Sequence, residues 1–434
     1  MLSIAKKSAL PIVAVLVFAL VGGNAFAGGQ EERDVDPADV TLEMWSFTDE
    51  LEPAIEIFEE RTGAEINLTI IPTEDYMSRI RPVLRSGVNA PDIFTGEAAF
   101  VRQLVNSGFW EPLDQEPYNA HEHVDKYYPY VPQVATDEDG ALRALSWQTT
   151  PGGTFYRRSL AEEYLGTDDP DEVGEYFSSY DGIIELGRLL QEESDGEVAV
   201  LPEVDSTLNW YLPERDNPWV DAEGRFHLDD IIIDHLEFAR TMRQEGLLSE
   251  RDQWTPAWFE GMNEVDDPDT FAFTLPTWGL HFVLKGDAPD SSGDWAVTHG
   301  PTDYFWGGTW LGVYSGSDHK ELAWQFVEMM TLDEEFLEQW ARDTGDFLGH
   351  REVVDRIVDD FSDPYLAGQN HYQFFAEAAP GVDGSLMTEW DEEINGFVHD
   401  ARDQYMDDDL TLDEAIEYIY DEVEGTYPQF EVRR

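Results

Sequence analysis

The stretch TLEMWSFTDELEPAIEIFEERTGAEINLTII, residues 41–71, predicts how the chain begins to fold. Leu51, Ile55 and Phe58 have the spacing of one helical face, and the glycine that closes EERTG is a helix stop. The apolar alternation of residues 66–70 is typical of a strand. An extended run before the helix and another after it therefore form a strand–helix–strand unit.

The same alternation continues after this unit. A second helix is predicted around Ile80, a strand over Ala90–Phe94 and a helix over Phe100–Ser107. Alternating strands and helices indicate an α/β fold with a parallel sheet and right-handed crossovers. Ligands of such sheets bind beyond the carboxyl ends of the strands, which here are the loops Trp45–Glu50 and Phe94–Ala98.

Later in the chain the pattern is more helical. Two late helices are predicted to begin with Thr-x-x-Glu capping boxes, Thr331 with Glu334 and Thr411 with Glu414. In such a box the hydroxyl and the carboxylate satisfy the backbone amides that a helix start leaves without partners.

Acidic residues dominate the composition. The chain has 92 Asp and Glu against 26 Lys and Arg, a formal charge of −66, and the acids are spread along its length. A hydrated acidic surface suits a salty medium and predicts a halophilic protein, whereas nucleic acid and anionic lipid are excluded as partners. Cysteine is absent, which excludes disulfides, thiolate metal sites and a cysteine nucleophile.

The first 27 residues are predicted to be a secretory signal peptide. Lys6 and Lys7 precede an apolar run at 9–21, and Ala25 and Ala27 are the small residues that a signal peptidase reads. The alternative is an uncleaved anchor. Residues 28–37 are predicted to be a disordered lead-in. With no cysteine for a lipid anchor, the expected location is periplasmic or secreted.

Motifs for catalysis and for cofactors are missing from the sequence. Neither G-x-G-x-x-G, G-x-S-x-G nor H-E-x-x-H occurs, and the carboxylates are too numerous for any catalytic pair to be singled out. His121 and His123 could place two imidazoles near a metal, but a surface loop is the favoured interpretation. The sequence thus predicts no catalytic residue, no metal and no cofactor.

Aromatic residues in polar loops that carry glycine or proline are the strongest functional signal. A sugar ring needs a flat apolar partner beneath it and hydrogen-bonding groups around its edge, and aromatic residues beside Asp, Glu or Asn meet both needs. The alternative is that these tryptophans are half-buried core residues. The loops are Trp45–Phe47, Trp147, Asn209–Tyr211, Trp254 and Trp258, Pro276–Gly279, Trp306–Trp310 and Trp390–Asp391.

Several ordered stretches resemble the carbohydrate-type solute-binding proteins of ABC importers, the family of maltose-binding protein. They are TLEMWSF and AIEIFEERTGAEINL, residues 84–114, ALRALSWQTTPGGTFYRRSLAEEYLG, TFAFTLPTWG, residues 295–347 and TLDEAIEYIYDEV. The resemblance implies a two-lobed periplasmic-binding-protein fold of the Venus-flytrap type, in which each lobe is a sheet flanked by helices and the chain crosses the hinge three times. It places the N-lobe at 38–148 and 301–335, the C-lobe at 152–298 and 345–434, and the hinge near 148–152, 298–301 and 335–345.

The resemblance also implies which residues contact a ligand. On the N-lobe these are Trp45, Ser46, Phe47, Asp49, Gly96, Glu97, Trp306, Gly307 and Gly308; on the C-lobe and at the hinge they are Trp147, Trp210, Tyr211, Trp278, Asp346 and Trp390. The two glycines would let a loop approach the ligand closely, although a simple tight turn also explains them. Whether Trp310 and Trp390 face the cleft or the core stays open.

The resulting hypothesis is a monomeric, non-enzymatic receptor that captures a neutral mono- or oligosaccharide between its lobes and delivers it to the transmembrane subunits of an ABC permease. One alternative is a secreted glycoside hydrolase or lyase with an aromatic cleft. Another is a receptor for polyamines or peptides, for which the negative charge would be an advantage.

Overall fold

The computed structural model describes residues 36–434. The predicted signal peptide, 1–27, and most of the predicted lead-in lie outside the described residues. The strands are β1 (Thr41–Ser46), β2 (Glu65–Ile70), β3 (Ile93–Glu97), β4 (Gly152–Arg157), β5 (Ala272–Pro276), β6 (Trp295–Thr298) and β7 (Thr309–Val313). The helices are α1 (Glu52–Thr62), α2 (Thr73–Ser86), α3 (Ala98–Val105), α4 (Tyr130–Ala135), α5 (Arg158–Leu165), α6 (Pro170–Phe177), α7 (Tyr180–Glu193), α8 (Leu208–Tyr211), α9 (Asp230–Gln244), α10 (Pro256–Asn263), α11 (Lys285–Asp287), α12 (Lys320–Leu332), α13 (Glu334–Thr344), α14 (Arg351–Ile357), α15 (His371–Ala378), α16 (Asp391–Met406) and α17 (Leu412–Thr426).

The first sheet has the strand order β2-β1-β3-β7. β1 pairs in parallel with both β2 and β3, as in the pairs Met44 with Leu68 and Trp45 with Phe94. β7 arrives from much later in the chain and pairs antiparallel with β3. The parallel strand–helix–strand unit predicted from the sequence is therefore confirmed, with one antiparallel strand added at its edge.

The second sheet has the order β5-β4-β6, and both pairings are antiparallel. All residues of its three strands are buried. Successive side chains of a strand point to opposite faces. Accordingly, Phe155 packs in the core that also surrounds the first sheet, whereas Tyr156 packs in a second core formed with α7, α9, α16 and α17. Two sheets flanked by helices confirm the predicted α/β class.

The helix ends show why local sequence places these elements. Gly63 ends α1 in the left-handed conformation, with φ of +81°, and its amide donates to the carbonyl of Glu59. Thr411 and Glu414 form the predicted capping box at the start of α17. The box predicted at Thr331 is wrong, because Thr331 lies in the last turn of α12 and its hydroxyl donates to the carbonyl of Val327.

Asp333 caps α13 in place of the predicted threonine. Its carboxylate accepts hydrogen bonds from the amides of Glu335 and Phe336, both at 3.1 Å. Thr331 is still inside α12, so its hydroxyl bonds within that helix and cannot cap the next one. A Thr-x-x-Glu pattern is ambiguous wherever one helix follows directly on another, because a second capping residue can lie inside the pattern.

Three chain segments lie side by side between the two sheets. Gln148 forms an isolated bridge with Leu348, and Pro151 forms one with Phe305. These pairs join the segment before β4 to the segments that follow β6 and α13. The exact lobe and hinge boundaries stay a prediction. Within residues 36–434, no helix has both the length and the apolar character needed to cross a membrane.

Candidate ligand-binding site

A cavity of about 920 Å³ lies among loops that follow strands of both sheets. On one side it is lined by the loop after β1 and by the start of α3. On the other side it is lined by residues around α8, by the loops near β5 and by α16. The lining residues are Phe47, Thr48, Glu50, Thr73, Glu97, Ala98, Ala99, Gln148, Asp205, Ser206, Leu208, Asn209, Leu212, Pro213, Arg215, Gln253, Trp254, Trp278, Phe282, Tyr304, Phe305, Trp306, Gly307, Gly308, Thr309, Asp383, Leu386, Met387, Asp391, Glu392, Asn395, Gly396, His399, Arg402 and Asp403.

Three tryptophans form the aromatic wall of the cavity: Trp254, Trp278 and Trp306. The indoles of Trp254 and Trp278 are nearly parallel, at 16°, with centroids 6.1 Å apart. Trp306 meets Trp278 edge-on at 5.5 Å, and the indole nitrogen of Trp278 donates to the backbone carbonyl of Trp306 at 3.0 Å. This bond ties the end of β5 to the segment that leads into β7. The wall therefore consists of two nearly parallel indoles with a third standing edge-on to them.

The glycine pair after Trp306 makes room for this wall. Gly307 and Gly308 have φ values of +72° and +114°, a region that side chains other than glycine rarely adopt. A Cβ atom on Gly307 would lie 2.8 Å from the indole nitrogen of Trp278. Gly307 therefore has no side chain because Trp278 occupies that space.

Glu97 provides a polar edge beside the aromatic wall, because a Cβ atom on Gly307 would lie 3.6 Å from its carboxylate and 2.8 Å from the indole nitrogen of Trp278. It ends β3 and caps α3, and its carboxylate accepts a hydrogen bond from the amide of Ala99 at 2.7 Å. Burial, reinforced by the charge of Glu392 on α16, raises the pKa of Glu97 to about 7. Near neutral pH this carboxyl is therefore about half protonated, so it can both donate to and accept from a hydroxyl.

Both arginines on the cavity wall already have acidic partners. Arg215 lies over the ring of Trp219 with its Nη2 atom 3.7 Å from Asp391 Oδ2, and burial lowers the pKa of Arg215. Arg402 donates to Asp205, and to Asp403 at 2.6 Å. Because each guanidinium is neutralised locally, these arginines offer an anionic ligand little unpaired positive charge.

A carboxyl pair lies at the side of the cavity nearest the connecting segments. Asp346 is buried and accepts from the indole nitrogens of Trp147 at 2.7 Å and Trp340 at 3.3 Å. Glu50, on the cavity wall, faces Asp346. Burial raises the pKa of Asp346 to about 6. Burial also raises the pKa of Glu50, and the neighbouring charge of Asp346 raises it further. Glu50 is therefore a second proton-sharing group at the cavity.

Of the fifteen residues that the sequence predicted to contact a ligand, six line the cavity. They are Phe47, Glu97, Trp278, Trp306, Gly307 and Gly308. Trp45 and Asp49 lie on either side of Phe47 in the chain but do not line the cavity. Ser46 is buried, and its hydroxyl accepts a hydrogen bond from Thr95. Gly96 faces the first core, since a Cβ atom there would lie 2.8 Å from Trp110.

The structure places Trp210 and Tyr211 differently from the expected C-lobe wall. Both lie on α8 and are buried in the second core, where Tyr211 stacks on Tyr180 at 4.1 Å. Leu208 and Asn209 of the same helix line the cavity instead. Neighbouring residues of a helix project in different directions, so one short helix sends its polar and aromatic side chains to opposite sides.

The remaining predicted residues also lie behind the cavity wall. Trp147 and Asp346 are buried, and the indole nitrogen of Trp147 donates a hydrogen bond to Asp346. This bond joins the segment before β4 to the segment after α13. Trp390 packs edge-on against Tyr427 and Phe430 at the start of α16. Trp310, which the sequence left open, is buried, and its indole nitrogen donates to the carbonyl of Val131 at 3.1 Å.

Sequence reasoning missed most of the C-lobe wall. Arg215, Phe282 and Arg402 were not candidates, because no local pattern distinguishes them from surface residues of the same type. Trp254 was among the aromatic loop residues but was not selected, although it is half exposed in the structure. In the described part of the chain no three metal-ligating side chains come together in a way that could hold a metal ion.

Comparison with solved structures shows what this fold resembles. The chain is 17% identical to a crystal structure described as an extracellular solute-binding protein of family 1, with a TM-score of 0.79 and coverage of 89% of this chain and 99% of that one. An ABC-transporter-associated binding protein from B. animalis subsp. lactis Bl-04, in complex with β-1,6-galactobiose, is 18% identical with a TM-score of 0.72, covering 91% and 100%. A solute-binding protein from Thermotoga lettingae TMO, bound with α-D-tagatose, is 17% identical with a TM-score of 0.70, covering 89% and 99%.

The sequence profile of a protein family also matches most of the chain. The match spans residues 53–363, which include in full six of the seven strands found in residues 36–434 and most of the cavity wall. The family is described as bacterial extracellular solute-binding proteins. The resemblance inferred from the ordered sequence stretches is confirmed, and this chain belongs to the bacterial extracellular solute-binding protein family.

Proposed function

We propose that this protein is the receptor of an ABC importer and that it binds a neutral sugar or oligosaccharide in the cavity described above. The observation that carries the proposal is the combination of the tryptophan wall with the carboxyl groups of Glu97 and Glu50. The flat indoles suit the apolar faces of a pyranose, and the carboxyls suit its hydroxyls. The sugars held by the similar solved structures support the same ligand class.

Charge supports a ligand without a phosphate or carboxylate group. Arg215 and Arg402 are paired with carboxylates, so an anion would have to displace existing ion pairs. Glu97, Glu392 and Glu50 add negative potential when ionised, which opposes an anion further. Burial raises the pKa of all three glutamates, that of Glu97 to about 7, which lessens this negative charge. A neutral polyol therefore fits the wall without an electrostatic penalty.

The proposed mechanism is capture by closure. Glu97 ends β3 of the first sheet, whereas Trp278 follows β5 of the second, so one ligand that contacts both residues contacts both halves. Only a ligand with higher affinity for the closed state shifts the population toward it. The closed form then docks on the permease. The protein acts as a monomer, outside the cytoplasm, after removal of its signal peptide, and it leaves the ligand chemically unchanged.

Intrinsic tryptophan fluorescence and thermal shift, titrated with a panel of sugars, test this proposal. We expect saturable binding of at least one sugar, recovered intact by chromatography after incubation. Trp278→Ala should weaken that binding by about 1–2 kcal/mol, since it removes a stacking platform. Val88→Ala, an exposed apolar truncation outside the cavity, is the matched control and should leave binding unchanged.

Salt separates the remaining possibilities. The affinity for a neutral sugar should be nearly constant from dilute to molar salt, because only charged pairs are screened. A fourfold or larger loss of affinity would indicate a cationic ligand, and cleavage of the sugar would indicate an enzyme. In the same series the melting temperature should rise with salt if the acidic surface is a halophilic adaptation. A flat melting profile would contradict that adaptation.

A further inference from the structure

Trp254 is the exposed member of the aromatic wall. Half of its surface is accessible, 50%, although four aromatic side chains support it: Trp258 at 5.1 Å, Trp278 and Trp306 at 6.1 Å each, and Phe259 at 6.3 Å. Its backbone has φ of +63°. A left-handed bulky residue is strained, and such strain persists where the surrounding structure holds a side chain in a functional position. The fold thus holds an indole at the rim of the cavity.

Phe282 is a second exposed ring on the same rim. It is 55% exposed and lies on a π-helix, Gly279–Leu284, shortly after β5. π-helical segments are rare and are frequent at functional sites. Most large apolar side chains in the described residues are buried, so two exposed rings that line one cavity are unusual for this molecule.

A polar group without a partner lies beside these rings. The side-chain nitrogen of Gln253 is enclosed and makes no hydrogen bond within the described structure. Gln253 directly precedes Trp254, and both line the cavity. An amide donor beside an exposed indole repeats the combination of Glu97 with Trp278 and Trp306 deeper in the cavity. The rim therefore has the two components that the first sugar position has.

The size of the cavity exceeds what one sugar ring needs. Its volume of about 920 Å³ is near the upper end of the roughly 300–1,000 Å³ typical of sites that enclose drug-sized molecules. A monosaccharide held against Trp278, Trp306 and Glu97 would leave the rim unoccupied. A longer ligand would cover both positions.

We infer that Trp254, Phe282 and Gln253 form an outer sugar subsite, and that the ligand is an oligosaccharide of at least two rings. This inference rests on the proposed sugar-binding function and specifies the ligand class further. One ring stacks in the inner position, and the next stacks on the exposed indole of Trp254, beside the side chain of Gln253. A monosaccharide occupies only the inner position.

Calorimetric titration with sugars of increasing length tests the subsite. The probes are glucose with maltose and maltotriose, glucose with cellobiose and cellotriose, and galactose with β-1,6-galactobiose. We expect at least one series to tighten about tenfold or more when the second ring is added. Trp254→Ala should weaken the disaccharide about tenfold, equivalent to about 1.4 kcal/mol, and should weaken the monosaccharide much less. Trp254→Phe should recover most of the loss, because a phenyl ring still stacks.

The possible outcomes distinguish the inference from the function on which it rests. If a sugar binds but its affinity is independent of length, or if Trp254→Ala leaves the disaccharide unaffected, the outer subsite is overturned and the receptor function stands. If no sugar in the panel binds while an amino acid or a peptide does, the proposed function itself fails. Val88→Ala serves again as the control for an apolar truncation away from the cavity.

Discussion

Two aromatic regions that look alike in the sequence behave differently in the structure. Asn209–Tyr211 and Pro276–Gly279 both place tryptophan among polar, proline or glycine residues. Trp278 lines the cavity, whereas Trp210 is completely buried in the second core. The comparison shows that aromatic content identifies the loops of interest, while the direction of each side chain decides which rings a ligand can reach.

The physical reason lies in what each segment packs against. α8 packs on α9, so the side chains on the face of α8 that meets α9 enter the second core, and Trp210 and Tyr211 are among them. Trp278 instead follows the end of β5, where the sheet no longer covers it, and the glycine at 307 leaves space for its indole. Substitutions on the two sides of this division between core and cavity should therefore have different effects.

Removal of Trp210 should damage the fold rather than the binding site. Trp210→Ala deletes a fully buried indole and should lower the free energy of unfolding by about 3–5 kcal/mol, measured by urea denaturation. The affinity of the folded variant for the sugar should be unchanged. A variant of unaltered stability that has lost binding would show that Trp210 belongs to the cavity after all.

Glu203 is a buried carboxyl whose titration should make the free energy of unfolding depend on pH. Burial raises its pKa from 4.5 to about 7, and its carboxylate accepts from Ser206, whose hydroxyl also lies 2.8 Å from that of Thr274. Between pH 4.5 and 7 the folded chain holds this proton and the unfolded chain does not. The stability from this group is therefore present at low pH and is lost as pH rises through about 7, by on the order of 3 kcal/mol.

Glu203→Gln should remove that part of the pH dependence. Unfolding free energies of the wild type and the variant, measured from pH 5 to pH 8, should diverge in favour of the variant as pH rises. Glu97→Gln is the paired variant on the cavity wall, since its pKa is also raised to about 7. We expect a saturating sugar to change the pH dependence due to Glu97 and not that due to Glu203. A constant difference between wild type and Glu203→Gln would contradict the assignment.

A substitution at Gly307 tests how tightly Trp278 packs against the glycine loop, and its expected effect on stability is the smallest of the three. Gly307→Ala places a side chain at φ of +72° and 2.8 Å from the indole of Trp278, and should cost about 1–2 kcal/mol of stability for the backbone conformation. Gly224→Ala is the matched control, because its φ is +77° and no atom lies within 4 Å of the added Cβ. Sugar affinity should fall for Gly307→Ala only; equal affinities would show that the indole is free to shift.

Much of the fold was predictable because its signals are local. The spacing of Leu51, Ile55 and Phe58 and the cap at Gly63 are properties of neighbouring residues, and the parallel pairing of β1 and β2 follows from them. The capping box at Thr411 was predictable for the same reason. The false box at Thr331 shows the limit, since the correct cap depended on where the preceding helix ended.

The candidate site was predictable in part. Phe47, Glu97 and Trp278 lie at or just after the carboxyl ends of β1, β3 and β5, so the architecture itself brings them to the cavity. Arg215, Phe282 and Arg402 reach the cavity only because α8, the π-helix and α16 fold against it. No sequence pattern predicts those contacts, because they join residues far apart in the chain, such as Arg402 and Asp205.

The sequence alone determined the alternation of strands and helices, the acidic character and the family to which the chain belongs. The alternation and the acidic character depend on residue type and short-range periodicity, whereas the family shows in the order of the stretches that resemble it; the chain carries all three before it folds. The tertiary structure alone decided which tryptophans form a wall and which form a core. That choice depends on which distant segment covers each ring, because burial is a property of the surroundings and not of the residue.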